Sequence, residues 1–473
     1  MVAIPLPNGT SKDRPQRGGS GALVNAILEQ LPDSRVIIKR APGMAQFTTS
    51  ASASIHCRGM LRVTDTAVLI LYNNVLEVCD NTGVSTALGP LTGSDVATMA
   101  RNLKSPTPDI VVVAENIAYV ATTTSAPVPY PDATIGNPNS VCYGDSYFFF
   151  TYPNGECQAS AVNDVTLNPL DAIQVNSSPS QLLRGVYFAQ TLFLFTQETI
   201  EAWTNTANPT GFPFSRASVI KRGLLHHAAV AGFEPGFPAS LIFVGNDNIV
   251  YLMRGYEPVR ISTSDIERRI ASLSDQTTLR ACVYMSEGHA IWQLSSSDFT
   301  LCYDVTNSYW FERRSVGMEF SRIESSVYAF GKWLVGDYAT DLVGVISANV
   351  FDEYGTTLTW QCQSYPVDAF PAYRIVARAD FNFVAGVGIA PTTSPYSPVT
   401  DYAVTPIVRV SWSDDAGASF KMPVQRELGE IGNNKRSITV LRSGQATRYG
   451  RVWRLEVSDP VYVGIFSGTM DTK

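Results

Sequence analysis

Short runs of apolar and β-branched residues alternate with polar turns along most of the chain after residue 66. Ala67–Tyr72 and Val75–Val78 flank Asn73-Asn74, a dipeptide suited to the positive φ angles of a tight hairpin. Six further pairs of runs follow the same pattern: Asp109–Val113 with Ile117–Ala121, Val141–Tyr143 with Tyr147–Tyr152, Val186–Ala189 with Thr191–Thr196, Leu241–Val244 with Ile249–Met253, Cys282–Met285 with Ala290–Leu294, and Val327–Phe330 with Trp333–Val335. Each pair predicts an antiparallel hairpin.

The spacing of these hairpins indicates the fold. Successive turns lie roughly 30 to 57 residues apart and mostly near 40 to 45, which is the period of propeller blades. A propeller also leaves only short strand edges exposed. We therefore predict an all-β chain with a β-propeller-like domain of about six to eight blades. A pair of stacked β-sandwiches with similar hairpins is the alternative.

Changes of rhythm along the chain suggest three regions. Residues 1–50 are expected to form an N-terminal arm, flexible or dependent on a partner, with a short helix near Leu23–Leu31. Residues 51–350 form the propeller-like domain. Residues 351–473 contain longer runs, which predict a C-terminal β-sandwich whose last strand is a candidate for closing the propeller ring.

One helix and two long loops stand out from the β pattern. Ser264 and Glu267 have the spacing of a helix capping box, and Ile266 and Ile270 follow at the spacing of one helix face. Thr122–Ser140 and Ala390–Pro406 are rich in Ser, Thr and Pro, and they predict long loops. Loops of this length in a compact fold usually make functional contacts.

Composition narrows the choice of function. Charged residues make up only 16% of the chain, below the roughly 25% of an ordinary soluble domain. Either Ser, Thr and Asn supply the polar surface, or neighbouring subunits cover much of it. The net charge of −7 argues against a dedicated nucleic-acid reader, although weakly repulsive walls would let DNA slide without sticking.

Cysteine usage and hydropathy indicate a reducing compartment and no membrane anchor. The seven cysteines include no CxxC pair, so we expect buried free thiols rather than a disulfide framework or a zinc ribbon. No secretory signal is recognisable in the first thirty residues. No apolar run approaches the roughly 18 residues of a membrane-spanning helix.

Residues 413–420 fit the Asp-box pattern S-x-D-x-G-x-[ST]-[WF], with Ser413, Asp415, Gly417 and Phe420 at its fixed positions. The Asp and Ser side chains of such a box bond local amides, and glycine takes the strained turn position. Asp-boxes recur in sialidases, but this chain has one box only, and nothing in the sequence singles out three arginines. We therefore interpret it as a structural hairpin.

Other catalytic signals are absent from the sequence. It contains no HExxH, P-loop, GxSxG or strand-linked GxGxxG motif. His226 and His227 are adjacent, and neighbouring residues of a strand point to opposite faces. We therefore expect no shared metal at this pair, no metal or cofactor elsewhere, and no catalytic residues. A glycosidase with paired carboxylates stays open, because the separation of two carboxylates is a three-dimensional property.

Several stretches, in order, resemble the tail hub or nozzle proteins of short-tailed bacteriophages, also called packaged-DNA stabilization or head-completion proteins. The matching pieces are Cys57-Arg58-Gly59-Met60, Thr199–Trp203, Gly211–Phe214, Glu257–Glu267, Glu287-Gly288-His289, Tyr309–Arg314, Trp412–Gly417, Leu428-Gly429, Val452–Leu455 and Ser458–Val461. Together they extend over most of residues 57–463, whereas the N-terminal residues match less well.

The resemblance implies a virion structural protein that is assembled in the host cytoplasm and located in the tail. Such subunits form a hexameric ring below the portal and adaptor proteins, retain packaged DNA and line its exit channel. They also carry tail fibres or spikes and the tail needle or plug. The alternative, from another functional class, is a carbohydrate-binding or glycosidase β-propeller.

Overall fold

The computed structural model describes residues 1–12, 20–208, 211–367, 373–388, 405–433, 435–448 and 450–472. The chain divides into two compact units. One, here called the propeller unit, comprises Gln46–Ser297 and Arg322–Ile346. The other, here called the sandwich unit, comprises Met1–Ala45, Asp298–Ser321 and Ser347–Lys473.

Nearly all of the described regular structure is β-strand. The first strands are β1 Val2–Ile4, β2 Ser11–Lys12, β3 Ser20–Val24, β4 Ala26–Gln30, β5 Val36–Arg40 and β6 Gly43–Thr49. Five complete four-stranded modules follow. The first module is β7 Cys57–Arg62, β8 Ala67–Tyr72, β9 Val75–Asp80 and β10 Ser85–Pro90, and the second is β11 Thr98–Arg101, β12 Ile110–Ala114, β13 Ile117–Ala121 and β14 Val128–Pro129. The third is β15 Ser140–Gly144, β16 Tyr147–Thr151, β17 Glu156–Ser160 and β18 Leu167–Gln174, the fourth is β19 Leu182–Phe188, β20 Thr191–Thr196, β21 Ile200–Asn205 and β22 Phe214–Ile220, and the fifth is β23 Val230–Ala231, β24 Ile242–Val244, β25 Val250–Arg254 and β26 Glu257–Arg260.

The remaining strands complete both units. They are β27 Arg280–Ser286, β28 His289–Ser295, β29 Thr300–Asp304, β30 Tyr309–Glu312, β31 Ile323–Ala329, β32 Lys332–Asp337, β33 Leu342–Ser347, β34 Asp352–Glu353, β35 Thr356–Thr357, β36 Trp360–Gln363, β37 Arg374–Phe383, β38 Ile407–Ser413, β39 Val424–Glu427, β40 Ile438–Ala446, β41 Val452–Val457 and β42 Gly464–Thr472. The helix α1 spans Ser264–Ala271, and short 3₁₀ turns occupy Ala133–Ile135 and Gln276–Thr278. No helix among the described residues is both long and apolar enough to cross a membrane.

All seven hairpins expected from the sequence are present in the propeller unit. In the first hairpin, Tyr72 faces Val75 and Val68 faces Cys79, and Asn73 takes a φ of 43° in the turn. The same antiparallel pairing recurs at β12–β13, β15–β16, β19–β20, β24–β25, β27–β28 and β31–β32. The predicted propeller-like fold is confirmed.

The first strands of the modules form a closed ring of seven: β7, β11, β15, β19, β23, β27 and β31. Apart from β19 and β23, neighbouring first strands pack side by side, and β31 packs against β7. Between β19 and β23 the ring is continued by an apolar cluster that includes Val186, Phe195, Leu224 and Phe243. The described propeller unit therefore has seven blades. Five are the four-stranded modules, the sixth contains β27 and β28, and the seventh contains β31, β32, β33 and residues 46–49 of β6.

The core of the propeller unit lies between successive modules. Each module presents apolar side chains on both faces, because a blade is covered by a neighbour on each side. Where the first module meets the last, Cys57 and Tyr72 of the first module form a buried cluster with Ala329 and Leu334 of the last. At this junction β6 is placed beside β33, and Phe47 packs against Phe330 with 6.0 Å between ring centroids. An N-terminal strand therefore closes the ring.

Two sheets form the sandwich unit. Its bounds differ from the expected residues 351–473, because it also includes Met1–Ala45 and Asp298–Ser321. The first has the strand order β4-β5-β42-β37-β40, with β1 also paired to β42. The second contains β29, β30, β3, β36, β41, β38 and β39 in that order. The core between the sheets includes Phe381 and Trp453, whose ring centroids are 5.5 Å apart.

Several expectations for the termini are wrong. The first strands are not a free arm, since β1 and β5 pair with β42 and β3 pairs with β36. The helix expected near Leu23–Leu31 is instead two strands of different sheets, β3 and β4, because sheet pairing outweighs a weak local helix preference. The last strand, β42, joins the sandwich unit and does not close the propeller ring.

The helix α1 is present, but its cap differs from the expected box. The N-cap residue is Thr263, whose side chain makes no capping bond, and Ser264 is already the first helical residue. The Glu267 carboxylate accepts a hydrogen bond from Ser262 Oγ at 2.6 Å and two from Arg260. Glu267 therefore fastens the helix to the preceding strand, β26.

Candidate functional site

Several charged side chains, some of them buried, meet at the axial mouth of the propeller unit. Every module repeats the same antiparallel order, so the first strands run parallel and all begin at one end of the ring. Arg58, Arg184, Arg280 and Glu324 lie near the starts of four of these strands, β7, β19, β27 and β31. Charged side chains from distant parts of the sequence therefore meet at this mouth.

Arg58 fixes the loop that follows the first module. Its side chain is only 1% exposed, and burial lowers the pKa of its guanidinium. Nε donates to the Asp95 carbonyl at 2.6 Å, and Nη1 donates to the carbonyls of Asn73 at 2.6 Å and Thr92 at 3.2 Å. The backbone at Asp95 is held in place by a rigid, planar donor group.

Asp95 meets two histidines across the mouth. His227 Nε2 lies 3.4 Å from Asp95 Oδ2, and the ring centroids of His226 and His227 are 4.2 Å apart. One ligand atom from each of the three residues can be chosen so that all lie within 4.8 Å of one another. Our expectation that the adjacent histidines cannot face one site is wrong, because they lie in a turn and not in a strand.

The environment of the histidines disfavours their charged forms. Burial lowers the pKa of His226, and burial together with the neighbouring His226 lowers the pKa of His227 to about 4. Both imidazoles are therefore neutral at pH 7. His226 Nδ1 lies 3.2 Å from the Leu279 carbonyl oxygen, which orients its ring.

Two acidic groups balance the other arginines of the mouth. Arg184 Nη1 donates to the His227 carbonyl at 2.9 Å, and Glu234 contributes a favourable Coulombic interaction with Arg184. Glu234 accepts a hydrogen bond from the Gly232 amide at 2.6 Å, although burial raises the pKa of its carboxyl group. Arg280 forms an ion pair with Glu324, which also accepts from the Cys57 amide at 3.1 Å.

The arginines do not form a free anion-gripping triad. The sequence did not single out three arginines, yet the fold brings Arg58, Arg184 and Arg280 to the same end of the propeller unit. Each already donates to a carbonyl or a carboxylate of the protein, and Arg58 is almost completely buried. The geometry therefore does not favour the carboxylate recognition that a sialidase requires.

The contact between Asp95 and the histidines spans the axial opening. Asp95 lies between the first and second modules, whereas His226 and His227 lie between the fourth and fifth. In a ring of seven, these positions are on opposite sides. The two loops therefore obstruct the axial opening of the propeller unit at this end.

The Asp-box has the local geometry expected of a hairpin device. Asp415 accepts from the Ser419 amide at 2.9 Å and from Ser419 Oγ and Ser413 Oγ at 2.5 Å each. Burial opposes ionisation of Asp415, but these bonds outweigh it and lower its pKa to about 2. Gly417 has a φ of 93°, and its amide donates to Ser413 Oγ at 2.8 Å. The Arg454 guanidinium carbon lies 3.5 Å from the centroid of the Phe420 ring.

The structure describes one of the two predicted long loops and only the end of the other. Thr122–Ser140 is described, and it contains the short edge strand β14 and a 3₁₀ turn whose N-cap is Asp132. Most of Ala390–Pro406 lies outside the described residues.

Comparison with known proteins identifies the family. Residues 3–351 match the family described as "Bacteriophage P22 Gp10, beta-propeller". No curated protein matches the chain significantly.

Similar solved structures include the WD40 propeller domain of Doa1, at 12% identity over 65% of this chain and 97% of that one, with a TM-score of 0.43. A streptogramin B lyase is 13% identical over 64% of this chain and 96% of that one, with a TM-score of 0.45. Virginiamycin B lyase from Staphylococcus aureus is 11% identical over 64% of this chain and 97% of that one, with a TM-score of 0.43. These similarities are too weak to carry an argument about function.

The family match extends from β1 to the end of the last propeller module, so it includes the N-terminal strands and the whole of the described propeller unit. This family match agrees with the resemblance to phage tail hub proteins that the sequence fragments showed. The chain belongs to the bacteriophage P22 Gp10 family of packaged-DNA stabilisation proteins, which are β-propeller structural proteins of the phage virion.

Proposed function

We propose that the chain is a tail hub subunit that forms a ring below the portal and adaptor proteins. In that position it would retain packaged DNA, line the DNA exit channel and attach tail fibres or spikes. The observation that carries this proposal is the family match over residues 3–351. The six-fold stoichiometry and the individual partners follow from the resemblance noted in the sequence.

The closed mouth of the propeller unit suggests how such a ring would conduct DNA. Asp95 and His227 approach each other across the axial opening, so the propeller is better suited to be a wall than a conduit. The lumen would then lie between subunits. A net charge of −7 would limit adhesion of phosphate groups to that wall, because phosphate contacts supply most non-specific DNA affinity.

Exposed apolar residues on two adjacent modules are suited to contacts with other subunits. Leu103, Val162 and Leu170 are 67%, 63% and 79% exposed. Leu103 and the loop at Val162 are neighbours, since the Leu103 amide donates to Asn163 Oδ1 at 3.2 Å. In an assembly these apolar side chains would be buried by a neighbouring subunit, which would remove them from a surface that has few charged residues.

The role proposed here is binding and not catalysis. A ring of head-to-tail contacts closes only when the rotation per subunit is correct, so rigid subunits favour a defined ring. The seven-bladed propeller supplies that rigidity through its interlocked module cores. Loop Thr122–Ser140 is a candidate for contacts with neighbours or tail appendages.

The direct test is assembly on a purified portal–adaptor complex, imaged by electron microscopy. We expect a ring of added density below the adaptor. The double variant Leu103→Asp/Val162→Asp should fold normally but add at least about tenfold less, if these residues are buried in the ring. Val219→Asp is the matched control, because Val219 is also exposed but lies on β22 of another module.

Phages lacking the chain provide the second arm of the test. We expect heads that fill with DNA and then lose it, measured as nuclease-sensitive genome. A purified chain that stays monomeric on the portal–adaptor complex, together with full DNA retention without it, would refute the proposal.

A further inference from the structure

We infer that Asp95, His226 and His227 bind one divalent transition-metal ion of the zinc type at the axial mouth of the propeller unit. This inference does not depend on the role proposed for the assembled ring. The ion would join the loop after the first module to the loop before the fifth. It would therefore act as a structural cross-link across the mouth.

The separations between the candidate ligand atoms suit a small tetrahedral ion. Zinc binds nitrogen and oxygen ligands at about 2.0–2.2 Å, which places two ligand atoms of a tetrahedron about 3.3–3.5 Å apart. His227 Nε2 and Asp95 Oδ2 are 3.4 Å apart. The longest separation in the triad is within 4.8 Å, so a small rotation of one side chain brings the third ligand into range.

The ring of His226 is already oriented by contacts at its Nδ1 atom. His226 Nδ1 lies 3.2 Å from the Leu279 carbonyl oxygen, which can only accept, and 3.4 Å from the Ala228 amide, which can only donate. The shorter contact favours a proton on Nδ1. A proton on Nδ1 directed at a carbonyl leaves the Nε2 lone pair available. Metal-binding histidines usually have this arrangement.

The backbone of the site is held by groups that are not themselves ligands. Arg58 donates to the Asp95 carbonyl, and Arg184 donates to the His227 carbonyl. Both bonds fix a main-chain position and leave the side chain directed to the mouth. Such outer support is what keeps a metal site in its binding geometry before the ion arrives.

Charge at the mouth is compatible with a cation. Arg184 and Arg280 would repel it, but Glu234 and Glu324 lie against these arginines, and Asp95 adds a negative ligand. Asp95 and His227 are 44% and 24% exposed at their side chains. Solvent therefore reaches the site, and water can complete the coordination of the ion.

The experiment measures zinc binding by the full-length chain, purified without a histidine tag and stripped with a chelator. We expect one Zn²⁺ per chain by calorimetry. Saturating Zn²⁺ should raise the melting temperature by about 3–8 °C, because a ligand that binds only the folded state stabilises it. Co²⁺ should bind at the same site and give the visible absorption of a tetrahedral complex. Mg²⁺ should not bind, because it prefers oxygen ligands in an octahedron.

Three conservative variants locate the site. His226→Gln, His227→Gln and Asp95→Asn should each weaken Zn²⁺ binding at least tenfold and abolish the Co²⁺ spectrum. His56→Gln is the matched control, since His56 lies near Glu324 in the same mouth but outside the triad. It should bind Zn²⁺ as the unaltered chain does.

The result can contradict the inference in two ways. Absence of Zn²⁺ binding at 100-fold molar excess would overturn it, and so would binding that all three variants leave unchanged. Melting of the metal-free variants shows whether they fold; should any one fail, the other two still decide, because each removes a single ligand. If the variants lose zinc binding but still assemble normally on the portal–adaptor complex, the inference is supported and the proposed function is unaffected.

Discussion

At the scale of single residues, the fold contains several arginine side chains that are almost completely buried. Arg58, Arg313 and Arg451 are among the largest fully buried side chains. Arg40 is also buried, and its guanidinium donates to the carbonyls of Val457, Asp459 and Val461. A planar group with five donors can bind several strand ends at once. Arg40 and Arg58 each join backbone carbonyls of separate segments, whereas Arg313 and Arg451 bond side chains.

The buried ion pair of the sandwich unit makes this dependence measurable. Arg313 Nη2 lies 3.0 Å from Glu353 Oε1, and the two side chains are 0% and 1% exposed. Glu353→Ala should lower the free energy of unfolding by about 3–5 kcal/mol, because it leaves an uncompensated buried charge. The midpoint of urea unfolding measures the effect.

The control for this prediction removes both charges. Arg313→Met combined with Glu353→Leu should be markedly more stable than Glu353→Ala alone, since no unpaired charge remains. Equal destabilisation in the single and double variants would show that the unpaired charge is not the cause.

At the scale of elements, the hairpins are local and the spacing between modules is set by small residues. Gly144 ends β15, the first strand of the third module, and an added Cβ would overlap the ring of Tyr187 on β19. The close approach of these two first strands therefore requires a residue without a side chain. Tight packing of blades around an axis produces such positions.

Gly144→Ala should destabilise the propeller unit by about 1–3 kcal/mol through this overlap. The measurement is thermal unfolding followed by circular dichroism. The same substitution in a Tyr187→Ala background should cost much less, because the ring that it meets is gone. An equal cost in both backgrounds would contradict the steric explanation.

At the scale of the whole molecule, the N-terminal strands are part of both units and not an appendage. β1 and β5 pair with β42, β3 pairs with β36, and residues 46–49 of β6 belong to the propeller unit. The chain termini are therefore joined by backbone hydrogen bonds. This connection decides how truncations behave.

Removal of residues 1–49 should greatly reduce the soluble yield and abolish cooperative thermal unfolding, because both units lose paired strands. A free arm would leave folding unaffected, and that outcome would contradict the observed pairing. Removal of residues 1–4 is the control. It deletes only β1, an added strand on β42, and should lower the melting temperature by only a few degrees. Size-exclusion chromatography and calorimetry measure both variants.

The sequence predicted well wherever the information was local. A hairpin such as Ala67–Tyr72 with Val75–Asp80 depends on a turn dipeptide and on adjacent apolar runs, so its residues contain the whole signal. The Asp-box at Ser413 and Asp415 is equally local. The helix at Ser264–Ala271 was also anticipated, but its cap was misplaced by one residue because Ser262 to Ser264 all have hydroxyl groups that can cap.

The candidate metal site was missed for a different reason. The signal in the sequence was the His226-His227 pair, which we judged as if it lay in a strand. Asp95 lies more than a hundred residues earlier, and only closure of the ring places it opposite the pair. Nothing in the local pattern around Asp95 distinguishes it from an ordinary loop carboxylate.

By itself the sequence determined that this chain is built of repeated hairpins at blade spacing, because each hairpin is stabilised by residues that are close along the chain. Tertiary structure alone decided that seven blades close the ring, that an N-terminal strand completes it and that both termini join the sandwich unit. The physical reason is that strand edges pair through backbone groups that are the same in every residue. The choice of partner is then made by geometry and by burial of entire apolar faces, and no short motif encodes it.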